Sequence, residues 1–175
     1  TIATICRRAG APSKFIMRLK EVSGAYWLWI VLLLGLSLRL LGLMEPLIDK
    51  QAWRQTDTAA IARNYYEEGY TLFHPRVDWR GTSSGFVESN FPLYPFVVGL
   101  LYSVVGGAYE WVGRLVAALC STAAGALLYL LALRLGVSVR SALFGSLFYL
   151  LFPLSVYYGR TFMPEALMIF LSVAA

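Results

Sequence analysis

The sequence predicts an all-α, polytopic membrane protein, in which transmembrane helices carry a helical outer loop after the first span. Two observations lead there. Hydrophobic residues make up 58% of the chain and charged residues only 14%, with a mean hydropathy of +0.62; soluble domains run nearer ~45–50% and ~25%. Apolar runs also alternate with polar stretches along the whole chain. The net charge of +5 does not indicate nucleic acid, because the cations fall where a membrane protein keeps them.

Residues 1–25 form a basic arm, with Arg7, Arg8, Lys14, Arg18 and Lys20 before the first apolar run. Cations flanking a span mark its cytoplasmic end, so the N-terminus is expected in the cytoplasm. Residues 26–44 form the first span, since ~1.5 Å per residue carries such a run across ~30 Å of hydrocarbon. The run opens on an aromatic belt of Tyr26, Trp27 and Trp29. It is too long for a signal-peptide core, and no small-residue cleavage site follows it. Near its far end, Arg39 reads either as a cation snorkelling to the outer headgroups or as one facing an anionic ligand.

Residues 45–95 are the one sizeable polar segment, an outer loop with short helices. Thr58 to Glu68 reads as a helix stopped by Gly69, and Gly81-Thr-Ser-Ser-Gly85 as a loop without apolar periodicity. Residues 96–107 are apolar but too short to cross, which predicts a partly inserted helix. Residues 111–133 and 141–158 are the second and third spans. Arg134 and Arg140 lie between them and belong on the cytoplasmic side. The third span then runs outward, and residues 159–165 form a second outer loop on the face that carries Asp49 and Asp57. Residues 166–175 begin a fourth span, which is expected to continue in a longer protein.

The polar chemistry gathers in these outer segments. Trp53, Arg54, Arg63, Asp49 and Asp57 fall in the first, Glu88 lies near its end, and Arg160 and Glu165 fall in the second. A sugar on a polyprenyl phosphate keeps its lipid in the bilayer and its phosphosugar at the surface. Transfer of that sugar needs a carboxylate to take the acceptor hydroxyl's proton and cations to stabilise the departing phosphate. Arg54, Arg63, Arg76 and Arg80 are available, and arginine's fork suits phosphate. Phosphate leaves readily, so the general acid that glycosidases use is not required.

Each of these residues also has a structural use. Asp57 stands where a helix N-cap belongs, and Asp49 suits the cap of a short turn. Arg54 and Arg63 have Asp57 and Glu67 at helical pairing distance. Glu165, after Pro164, suits the first turn of a helix. Glu88 and Asn90 suit a loop terminus, and Trp53, Tyr65 and Tyr66 an interfacial aromatic belt that doubles as a sugar platform. With one His, and with Cys6 and Cys120 far apart in the predicted topology, neither a metal site nor a disulfide is expected. No cofactor is implied.

The run Trp53-Arg-Gln-Thr-Asp-Thr-Ala-Ala-Ile-Ala-Arg-Asn-Tyr65 resembles the first outer loop of the dolichyl-phosphate-mannose protein mannosyltransferase-like group. That group belongs to the C-type (GT-C) membrane glycosyltransferases, which also include the lipid A aminoarabinose transferases. Leu38-Arg-Leu40, Glu88-Ser-Asn-Phe-Pro-Leu-Tyr-Pro95 and Tyr158-Gly-Arg-Thr-Phe-Met-Pro-Glu165 match as well. The resemblance covers nearly all the chain after the basic arm and only the N-terminal part of a family member. It implies a polytopic, metal-independent enzyme with a catalytic Asp in the first outer loop. Asp57, four residues before Ile61, is the general base it implies, with Asp49 as the alternative. Glu165 matches the acid of the second outer loop. The chain departs from the group in two places: its acids are not adjacent, and Glu88-Ser-Asn-Phe-Pro92 lacks the Lys that relatives offer the donor phosphate. The first departure keeps Asp49 as the alternative base, and the second shifts weight onto the arginines.

The expectation is therefore an inverting glycosyltransferase of the plasma (inner) membrane. It would take a polyprenyl-phosphate-linked sugar donor, act on a lipid, glycan or protein acceptor at the non-cytoplasmic face, and bind no nucleic acid. The alternatives are a secondary transporter or flippase using Arg39 and Arg114 as in-membrane charges, or a non-catalytic membrane subunit.

Overall fold

The computed structural model describes residues 14–87 and 91–175, with residues 14–25 as backbone alone. The side chains of the basic arm, Cys6 and Glu88 lie outside the described residues. The described chain is helical, without strands: α1 (Lys14–Leu40), α2 (Ala52–Glu68), α3 (Leu93–Val105), α4 (Glu110–Arg134), α5 (Val139–Leu151), α6 (Pro153–Tyr158) and α7 (Glu165–Ala174). Among the described residues, only α4 is both long and apolar enough to cross a membrane, with mean hydropathy 2.1 over its best window. Residues 26–40 of α1, α3, α5 and α7 are shorter apolar helices.

Local chemistry accounts for the boundaries. Gly106 ends α3 in the left-handed region at φ 82°, returning its N–H to the Tyr102 carbonyl. Ser138 caps α5 by accepting from the Ser141 N–H. Residues 141–158, read from sequence as one span, are divided between α5 and α6. Pro153 has no N–H to continue the ladder and forces Phe152 out of helical backbone, to ψ 125°.

Helix α4 is the centre of the bundle and packs on α1, α5 and α7, while α2 lies on α3. The buried cluster sits where these groups meet. It is built from Leu47, Ala62, Tyr94, Val98, Tyr102, Val112, Ala117, Phe162 and Ala166. Gly113 is required there, because a Cβ would stand 2.2 Å from the Phe162 ring.

Arg39 neither snorkels nor faces a ligand. It is fully buried and donates to Ser121 Oγ at 3.0 Å, the Gly35 and Leu150 carbonyls at 2.9 Å, and the Ser155 carbonyl and hydroxyl at 3.3 and 3.0 Å. The helix break at Phe152 leaves the Leu150 carbonyl for this contact, so the cation holds the broken helix against α1 and α4. A buried charge surrounded by oriented carbonyls and hydroxyls recovers part of the solvation it lost.

Candidate active site

Helix α2 carries most of the predicted residues, and its turns sort them by face. It begins at Ala52, six residues before Thr58, so Asp57 lies inside the helix and is not its cap. Arg54, Asp57, Thr58 and Ile61 recur at helical spacing and line one wall of a cleft of about 290 Å³. The other walls come from Pro75, Val77, Trp79 and Val87 on the following loop, from Phe91, Pro92 and Pro95 around the start of α3, and from Pro164 before α7. The cleft thus lies between the segment of residues 54–95 and Pro164, and its size is at the small end of ligand sites.

Asp57 accepts through Oδ1 from the Trp79 indole N–H at 3.2 Å. Arg54 does not pair with Asp57. It reaches across to Glu165 Oε1 at 2.8 Å, and the other oxygen of Glu165, Oε2, is buried without a donor among the described residues. Glu165 opens α7 in its first turn, the placement favoured for an acid. The structure therefore brings Arg54, Asp57 and Glu165 together, from segments more than a hundred residues apart in sequence.

Asp49 is held differently. Its Oδ1 accepts from the Gln51 N–H at 3.3 Å, from the Tyr157 hydroxyl at 3.2 Å and from the Gln55 amide. Gln55 is fully buried, and its Oε1 accepts from the Phe162 N–H at 3.0 Å. One glutamine thus ties Asp49 to the segment between α6 and α7. Sequence inspection passed over Gln55, and its signal is weak: an uncharged amide in a run of charged neighbours.

Arg63 is on another face of α2. It pairs with Asp78 and more loosely with Glu67, at 3.9 Å, and lines a second cleft of about 240 Å³ with Tyr102 and Glu110. Arg160 donates to the Leu41 carbonyl at 2.9 Å, joining the segment between α6 and α7 to the end of α1. Trp53 is 71% exposed and lies 6.2 Å from Trp79, ring centre to ring centre.

The loop that presents Trp79 is strapped to α2. Asn64 donates to the Arg76 carbonyl at 2.8 Å and to Asp78 Oδ1 at 3.1 Å. Arg76 and Arg80 converge on Glu68, the first at 2.7 Å. Hydrogen bonds from Arg80 and then Arg76 bring the Glu68 carboxyl down to about 2. Arg76 also lies over the Phe86 ring at 4.8 Å, and residues 76 and 86 form an isolated antiparallel bridge. Arg76 and Arg80, offered from sequence as phosphate partners, are thus committed to Glu68.

Residues 89–175 match the family model for dolichyl-phosphate-mannose-protein mannosyltransferase. The matched stretch takes in Arg160 and Glu165 and starts after Asp49, Arg54 and Asp57. None of the curated proteins and none of the solved structures compared with the chain matches it.

Proposed function

We propose, on the match of residues 89–175 to the dolichyl-phosphate-mannose-protein mannosyltransferase family, that the chain is a membrane glycosyltransferase that moves a sugar from a polyprenyl phosphate to an acceptor hydroxyl. One observation carries the site assignment: Asp57 and Arg54 line the same cleft, as a base and a phosphate partner must. In this reading Asp57 takes the acceptor proton as the acceptor oxygen attacks the anomeric carbon from the face opposite the phosphate. That geometry inverts the sugar. Arg54 exchanges its contact with Glu165 for the departing phosphate, which a cation stabilises as its charge grows. Glu165 holds the guanidinium in place until then. Arg160, Trp53 and Glu88 would supply further substrate contacts, and Arg63 would act from the second cleft.

The topology follows from charge. The arm of residues 1–25 and the loop with Arg134 and Arg140 are cytoplasmic, and residues 45–95 and 159–165 share the outer face of the plasma (inner) membrane. The contacts from Arg54 to Glu165 and from Gln55 to Phe162 support that shared face. Nothing comparable supports transport. Arg39 and Arg114, the charges a transporter would use, donate to protein carbonyls and hydroxyls, Arg114 to those of Gly42 and Pro46 at 2.7 and 3.1 Å.

The test compares Asp57→Asn with Asp49→Asn in the full-length protein, purified and assayed with polyprenyl-phosphate hexoses. Loss of a general base costs ~10²–10⁴-fold in turnover, and that loss is expected for Asp57→Asn with membrane insertion unchanged. Asp49→Asn is expected to lose less, through looser packing of Tyr157 and Gln55. The reverse order moves the base to Asp49, and full activity in both variants removes the assignment.

A further inference from the structure

Trp79 joins the strapped loop to Asp57 through its indole N–H, and both of its neighbours are anchored. Asp78 is bound by Arg63 and Asn64, and Arg80 by Glu68. Val77, two residues before Trp79, is buried, and its N–H donates to the Gly85 carbonyl at 2.9 Å. Gly85 turns at φ 73° with its Cβ position 2.7 Å from Arg80 Cδ, so only glycine closes this loop without strain. The ring of Trp79 is thus carried on a braced segment although it is 63% exposed. An exposed tryptophan on a braced loop calls for an explanation, since burial does not place it there.

We propose that Trp79 is a positioning residue for the base and a wall for the donor sugar, an inference that rests on the glycosyltransferase reading above. The indole N–H can only donate, so it holds Asp57 by Oδ1 and leaves Oδ2 to receive the acceptor proton. A carboxylate on a helix surface otherwise rotates about its side-chain bonds, and each wrong rotamer turns the accepting lone pair away from the hydroxyl. The same ring lines the cleft beside Arg54. A phosphate on Arg54 therefore sets its sugar against the apolar face of the indole, which suits the C–H face of a pyranose. The proton balance is complete: the acceptor O–H proton goes to Asp57 Oδ2, the new bond forms at the anomeric carbon, and the polyprenyl phosphate leaves with the bonding pair.

Two variants separate the roles. Trp79→Phe keeps an apolar wall and removes the N–H. Its kcat is expected to fall ~10-fold or more with donor KM within about twofold, because only orientation in the transition state is lost. Trp79→Ala removes the wall as well and is expected to raise donor KM on top of the same fall in kcat. A merely structural role would lower the amount of folded protein and leave kcat per folded molecule alone. A second measurement needs no substrate: the Trp79 indole N–H resonance in labelled full-length protein is expected to shift in Asp57→Asn. Wild-type kcat in Trp79→Phe, or an unmoved indole resonance in Asp57→Asn, overturns the inference. A wild-type protein that transfers from no polyprenyl-phosphate hexose overturns the glycosyltransferase reading and the inference with it.

Discussion

Gln55 is fully buried between Arg54 and Thr56, both of which face solvent. Its amide is used at both ends, accepting from Phe162 and donating to Asp49. A leucine of similar size would leave the buried Phe162 N–H without a partner and release Asp49. Removing one side of a buried hydrogen bond costs about 1–3 kcal/mol, so Gln55→Leu is expected to lower thermal stability in detergent by that order. A change below roughly 0.5 kcal/mol, the range of ordinary surface substitutions, would show that the amide holds nothing. The side chains of Arg54 and Gln55 are adjacent in sequence yet reach different targets, Glu165 in the cleft and Phe162 in the core. Sequence spacing identifies Arg54 as a candidate cation but not its partner, because that partner arrives from the far end of the chain.

At the scale of elements, residues 70–87 behave as a strap over α2. The strap is fastened by ion pairs at Glu68 and Asp78 and by the backbone bridge at Arg76 and Phe86. The Glu68 carboxyl sits at about 2, below its ordinary 4.5, so its pairs favour the folded strap wherever it is ionised. Their contribution is fully present above pH 4.5 and is lost as pH falls toward about 2. Hydrogen exchange at the Val77 and Val87 amides, which bond to Gly85 and Pro75, checks this. Protection corrected for intrinsic rates is expected to hold down to about pH 4.5 and then fall, and Glu68→Gln should remove that step. The pairs are exposed, so added salt is expected to weaken the strap as well.

For the whole molecule, α4 is the element to which the other parts are fitted. Phe162, buried against Gly113, sets the approach of residues 159–165 and so the place of Glu165. Gly113→Ala puts a methyl carbon 2.2 Å from that ring. Overpacking of this kind costs about 1–3 kcal/mol, and the expected result is lower thermal stability with reduced transfer. Leaving both unchanged would mean that the segment is not seated by this contact. On the opposite side, Arg39 joins α1 to α4 and to both halves of the broken helix. Arg39→Leu is expected to cost more than Gln55→Leu, since several acceptors lose their donor at once.

By itself the amino-acid sequence determined the helical class, the apolar periods and the residues with chemistry to offer. These depend on composition and short-range pattern, and Asp57 and Arg54 share a cleft wall because three residues is one helical turn. It also carried the family resemblance that the match over residues 89–175 now supports. Only the tertiary structure decided which charges meet. It gave Arg54 to Glu165, Arg63 to Asp78, and Arg76 and Arg80 to Glu68. It also divided residues 141–158 at Pro153 and buried Arg39 where the break exposes carbonyl oxygens. Pairings of this kind depend on how segments distant in the chain pack around α4, and no local pattern encodes that.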